Sequence, residues 1–163
     1  MTQDETNEKI GVAIGKIPSG LFILTAKYDD QRCGMLASWV QQVSFHPPMI
    51  SVAIAKGRII MPLVSESRQF GLCQLAENEK VLLRKFANPS DSSEDPFLGF
   101  ELISDTVTQV PVLAQGLSYV ECEVAAHMDV DGDHDLFIGK VVGGSLLSPA
   151  RPYIHVRDNG FKY

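Results

Sequence analysis

Three short stretches of this chain combine residue types that can bind or transform a ligand. The first, residues 34–48 (GMLASWVQQVSFHPP), is an apolar strand pattern interrupted by small and hydroxyl residues and stopped by a double proline. Gly34, Ala37 and Ser38 leave the main chain accessible, so a flat ligand can lie against it and take hydrogen bonds from N–H and hydroxyl groups. The same residues also read as an edge strand with a bend. The second stretch, Ala55-Lys56-Gly57-Arg58, follows a strand pattern and precedes a helical one. Two cations, a flexible glycine and free helical N–H groups suit a phosphate, and two solvated cations at a strand end are the alternative. The third is His134, just after a tight acidic turn at a strand entrance, where a side chain either reaches a pocket mouth or stays on the surface.

Other motifs fail on inspection. Asp129-Val130-Asp131-Gly132-Asp133-His134-Asp135 starts like a calcium loop, but His134 and Lys140 stand where such a loop needs glycine and a bidentate glutamate, so a hairpin turn is expected and no metal. Residues 139–144 (GKVVGG) lie inside a strand pattern and precede no helix, which excludes a phosphate loop and a dinucleotide fingerprint. Their glycines are expected to permit a bulge or a close backbone approach. No G-x-S-x-G elbow or H-E-x-x-H pair exists to support hydrolase chemistry.

Composition narrows the function classes further. With 163 residues, 45% of them hydrophobic, the chain reads as one soluble globular domain over 1–163; at this size roughly 70% of the unfolded surface is buried, enough for one core. Fourteen Lys and Arg against 20 Asp and Glu leave a net charge of −6 with no basic cluster, which argues against nucleic acid or an anionic membrane as partner. Cys33, Cys73 and Cys122 form neither a C-x-x-C pair nor a disulfide framework. The polar, acidic start lacks the basic and apolar regions of a signal peptide, so a reducing, cytoplasmic setting is expected.

These residues need a scaffold, and the periodicity supplies a mostly β one. A short amphipathic helix is expected over 5–17, with Ile10, Ile14 and Ile17 on its apolar face, ending before Pro18-Ser19-Gly20. Strands follow at 21–28, 33–45 and 49–55, apolar enough on both faces to be covered by helices or a second subunit. Next come a helix near 59–66, a strand at 70–75, a helix over 77–86, and a breaker-rich acidic surface loop over 88–96. Strands at 106–114, 118–129 and 136–147 and a closing segment from Tyr153 to Tyr163 complete the chain. Six or more strands with tight turns and only three short helices predict antiparallel pairing, hence a β-barrel with peripheral helices.

Together these pieces resemble the flavin reductase-like family of FMN-binding split barrels, including the reductase-like module of some flavodiiron proteins. The likeness runs from about Ile10 to Tyr163. It is densest at Gly20–Ala26 and at 34–48, where Gly34, Met35, Ala37, Ser38, Val43, Ser44, Pro47 and Pro48 fit the family pattern G-M-T-A-S-S-F-x-S-V-S-x-x-P-P. Gly132-Asp133-His134 leading into residues 137–141 (FIGKV) fits as well.

The resemblance implies a split β-barrel of Greek-key type, a homodimer, and FMN as cofactor. It assigns Leu36, Ala37, Ser38, Trp39 and Val40 to the isoalloxazine edge and ribityl chain, and Ser44 with Ala55, Lys56, Gly57 and Arg58 to the phosphate. His134 takes the place of the histidine beside the nicotinamide. Leu36 and Trp39 stand where many relatives carry hydroxyls, so main-chain contacts must replace side-chain ones there, and the L-A-S-W wording is shared with the flavodiiron branch. Trp39 packs on the ligand, at a subunit contact or in the core.

The implied activity is hydride transfer from NADH or NADPH to flavin, with electrons passed to a downstream acceptor such as a redox partner protein. The cofactor carries that chemistry, and N–H groups of 36–39 act as oriented dipoles where negative charge develops. The alternative is a non-enzymatic FMN electron carrier with no nicotinamide site, whose acidic surface docks onto a basic partner.

Overall fold

The computed structural model describes residues 1–88 and 93–163. Seven strands form one antiparallel sheet: β1 (Phe22–Tyr28), β2 (Gln31–Ala37), β3 (Val40–Ser44), β4 (Met49–Ala55), β5 (Gln69–Gln74), β6 (Ser118–Asp129) and β7 (His134–Leu146), with three helices, α1 (Gln3–Gly15), α2 (Ile60–Ser67) and α3 (Val81–Ala87). The spatial order is β2-β1-β5-β6-β7-β4-β3, in which β4-β7-β6-β5 has the order of a Greek key. β2 and β3 form the two edges, so the sheet is a split barrel and not a closed one.

The apolar runs behave as expected in the centre of the sheet. Leu24 and Ala26 of β1 join Phe70 and Leu72 of β5 in one core, into which α2 packs. Ile23 and Cys73 on the opposite faces of the same strands join a second core closed by Leu82 and Phe86 of α3. Strands covered on both sides lose the in-and-out alternation, which is why these segments read as continuous apolar runs. Gly139 likewise allows the close approach expected of it: a Cβ there would stand 2.5 Å from the Phe70 ring and 2.6 Å from Cys122 Cβ.

Four expectations are corrected. The run 33–45 is not one strand: it breaks at Ser38-Trp39 into β2 and β3, and β3 exposes Gln41, Gln42 and Val43. The segment 106–114 is not a strand, although Val110, Val112 and Leu113 do turn inward. Its main chain makes only one isolated bridge, Leu102 to Leu113, and side chains hold the rest: Val107 and Thr108 donate N–H bonds to the buried Glu121 carboxylate at 3.1 and 2.8 Å, and the Thr25 hydroxyl donates to Pro111 O at 2.7 Å. Pro111 could not donate to a ladder in any case.

The first helix starts two residues earlier than expected and turns the other way. Gly11 and Gly15 are buried against the segment around Asn159, while Ile10, Ile14 and Ile17 are 44%, 38% and 66% exposed. Two bare glycines let backbone approach backbone, and Arg157 N–H donates to Gly15 O at 3.0 Å. Finally, α3 begins at Val81 and not at 77, because Glu79 Oε1 accepts the N–H groups of Val81 and Leu82 at 2.9 and 3.0 Å and so starts the helix there. The expected surface loop over 88–96 falls partly on residues 89–92, outside the described residues.

All three thiols are buried, and burial pushes Cys33 and Cys73 up to about 11 and Cys122 to about 12. None is a thiolate at neutral pH, so none is a nucleophile. A disulfide reagent such as DTNB at pH 8 is expected to label no cysteine of the native protein within minutes and three after denaturation; rapid native labelling would contradict this packing.

Candidate functional site

Between β2 and β3 the chain crosses from one edge of the sheet to the other through Ser38 and Trp39 alone. Trp39 O accepts from Ala53 N at 3.1 Å, which ties the crossover to β4. The N–H groups of Ser38 and Trp39 have no main-chain acceptor among the described residues, and the Ser38 hydroxyl makes no hydrogen bond although the residue is only 7% exposed. Donors without a protein partner at a pocket surface are free to bond a ligand or water. Ser38 and Trp39 both line a cavity of about 350 Å³ in which apolar lining predominates.

Leu36, Ala37, Ser38, Trp39, Ala55 and Arg58 of the expected site line this cavity, and His134 stands at its rim. Val40, Ser44, Lys56 and Gly57 do not line it. Gly34 is not part of the bare wall either, because the Phe86 ring fills the space a side chain would take, 2.7 Å from an ideal Cβ.

The two cations of the 55–58 corner separate across Gly57, whose φ of +83° makes the turn. Lys56 points to the β6–β7 hairpin, with Nζ 2.8 Å from Asp129 and 3.8 Å from the mostly buried Asp135. The bond to Asp129 raises the Lys56 pKa and lowers that of Asp129. Asp135 in turn holds His127 at 2.7 Å, and His127 stacks on Phe137. Arg58 is left to face the cavity.

His134 is gripped from both sides. Nδ1 lies 2.7 Å from Asp133 Oδ1, and Nε2 lies 2.7 Å from the Tyr163 hydroxyl. Its ring centroid is 4.5 Å from that of Trp39, and the Arg157 guanidinium stands 5.5 Å over the other ring system of this cluster, Trp39 itself. The hydrogen bond from His134 holds Asp133 below the usual carboxylate range, while burial raises the Tyr163 phenol, which therefore stays protonated at neutral pH. A carboxylate on Nδ1 selects the tautomer with its proton there, leaving Nε2 to accept from the phenol. Trp39, 38% exposed, is a rim residue and not a core aromatic.

The far wall comes from residues that sequence reasoning missed, Leu83, Tyr153 and His155, which line the cavity, as does Tyr163 beside His134; Arg157 stands over Trp39. Burial and then the Arg157 charge lower the His155 pKa, so that wall presents a neutral imidazole. The dense set of aromatic and cationic residues in 153–163 is the signal that could have flagged it.

The chain matches the flavin reductase like domain over residues 14–162 and belongs to that family, which places it among flavin-related oxidoreductases. It is 39% identical over 154 residues to diflavin flavoprotein A 1 of Synechocystis sp., covering 93% of this chain and 26% of that protein. The chain thus spans about a quarter of the length of this curated relative. Among solved structures it superposes on the NADH:FAD oxidoreductase SgcE6 of Streptomyces globisporus C-1027 with a TM-score of 0.83 at 19% identity, covering 96% of this chain and 91% of that one. SgcE6 has also been solved in complex with NAD and FAD fragments. The styrene monooxygenase flavin reductase of Pseudomonas putida S12 gives 0.74 at 24% identity, covering 89% and 90%. These likenesses show the same fold. Among the described residues no group of His, Cys, Asp and Glu could hold a metal, and no helix is long and apolar enough to cross a membrane.

Proposed function

We propose that this domain is an NAD(P)H-dependent FMN reductase that passes electrons to a downstream acceptor. The observation that carries the reading is the 36–39 crossover: two unpartnered N–H groups and a hydroxyl on a mostly apolar wall, with Arg58 and His134 on the same cavity. That donor set fits a flat heterocycle with polar edge atoms and an anionic tail. Bound there, FMN would supply the hydride-accepting and electron-donating chemistry. The chain's own part is to hold the ring edge with the Ser38 and Trp39 N–H groups, which are fixed dipoles suited to negative charge. Leu36, Ala37 and Ala55 exclude water from the cavity, Arg58 neutralises the phosphate, and His134 orients the nicotinamide.

A homodimer belongs to the same proposal, supported by the exposed Ile10, Ile14 and Ile17 of α1 and by Val43 and Phe45, 49% and 80% exposed, at the β3 edge. Light scattering is expected to give about twice the 17.9 kDa of one chain, and the mass of one chain would remove this part. The relation to diflavin flavoproteins favours a redox protein or module as acceptor.

His134→Ala is expected to raise the KM for the reduced nicotinamide about tenfold in a steady-state FMN reductase assay, with FMN affinity nearly unchanged. No NADH or NADPH oxidation by the wild-type protein with FMN would overturn the reading. At the phosphate, Arg58→Ala should weaken FMN by about tenfold to a hundredfold, from a charge-assisted contact of roughly 1.5–3 kcal/mol, and leave riboflavin unaffected. Lys56→Ala should change FMN much less, since Asp129 already holds that cation; equal losses of FMN and riboflavin in Arg58→Ala would contradict the placement.

A further inference from the structure

Both hydrogen-bonding atoms of His134 are already taken. Each imidazole nitrogen makes one hydrogen bond in the plane of the ring; Asp133 occupies Nδ1 and the Tyr163 phenol occupies Nε2. Of these two partners only Tyr163 lines the cavity. The His134 side chain is 14% exposed although it leaves an exposed turn, with the Trp39 ring 4.5 Å away and the Tyr163 phenol at its Nε2 edge.

The attachment of Tyr163 is slight. As a residue it is 75% exposed, and among the described residues its side chain is held by the phenol's bond to His134 and by the His134 and Trp39 rings at 6.4 and 5.8 Å. The segment before it is fixed: Arg157 Nη1 donates to Gly160 O and Lys162 O, both at 3.1 Å, and Asn159 Oδ1 accepts Phe161 N–H at 2.8 Å. A rotation of the Tyr163 side chain alone therefore frees Nε2, with no change in the 157–162 turn.

Resting on the nicotinamide reading above, we infer that Tyr163 is a gate: its phenol holds Nε2 of His134 at the cavity mouth, and a nicotinamide must displace it to reach the histidine. Tyr163 is thus a positioning residue that competes with the reductant for one ring atom. Removing its hydroxyl should tighten nicotinamide binding, the reverse of what loss of a direct ligand contact would do. The size of the effect is that of one neutral hydrogen bond, about threefold to tenfold in affinity.

Trp39, the chain's single tryptophan, lies against both His134 and Tyr163 and reports on them by its emission without any turnover. The test is titration of FMN-loaded protein with NAD+ and NADP+, read by Trp39 emission, in wild type, Tyr163→Phe, His134→Ala and the double variant. Tyr163→Phe is expected to lower the dissociation constant of the preferred dinucleotide about threefold to tenfold with His134 present and to leave it unchanged in the His134→Ala background. Unchanged or weaker binding in Tyr163→Phe, or an equal gain in both backgrounds, overturns the gate while wild-type binding upholds the nicotinamide site. No binding of either dinucleotide to any variant overturns both.

Discussion

The length of one connection governs the molecule. The Cα atoms of Ala37 and Val40 are three peptide units apart, so β2 and β3 must end within about 11 Å of each other. In a flat sheet of seven strands the two edges would stand about 29 Å apart. The sheet must therefore curl almost to closure, and it is stopped short of pairing by the two residues that make the crossing. Among the described residues neither edge supplies a main-chain acceptor for their N–H groups, and both residues line the cavity. The barrel and its ligand wall are two results of the same short connection.

Around that seam, carboxylates divide the polar work. Glu121 is 1% exposed and takes the main-chain and hydroxyl donors of 107–108, which fastens the long β5–β6 connection against the sheet. The hairpin carboxylates act at the rim. Asp129 holds Lys56 away from the cavity, Asp133 sets the tautomer of His134, and Asp135 anchors His127. A turn that starts like a calcium loop thus turns its acids to one lysine and two imidazoles, leaving Arg58 as the cation from that corner on the cavity.

Elements whose partners are local were legible from residue order. The β6–β7 turn is announced by Asp131-Gly132-Asp133, and the β1 and β5 runs by unbroken apolar character. Of the residues the resemblance assigns to a ligand, Leu36–Trp39, Ala55, Arg58 and His134 line one cavity, and Val40, Ser44, Lys56 and Gly57 do not. What failed depends on distant contacts. Segment 106–114 has the pattern of a strand because Val110, Val112 and Leu113 pack inward, and only the fold brings Glu121 and Thr25 to its main chain. The buried face of α1 is made of glycines, invisible to a hydrophobic period, and the apolar period marks the face left outside. The far wall arrives through isolated bridges, Ser19 to His155 and Ala76 to Pro152, which leave no periodic trace.

The central claim is that the crossover wall holds a flavin that a nicotinamide reduces directly. The most direct test is the absorption spectrum of the protein between 300 and 600 nm with FMN added, followed anaerobically by NADH and then NADPH. The account predicts perturbed flavin bands that bleach within seconds with one of the two donors. Bound flavin that bleaches only with dithionite would contradict nicotinamide-dependent reduction and favour a pure electron carrier, and flavin bands identical to those of free FMN would contradict the wall itself.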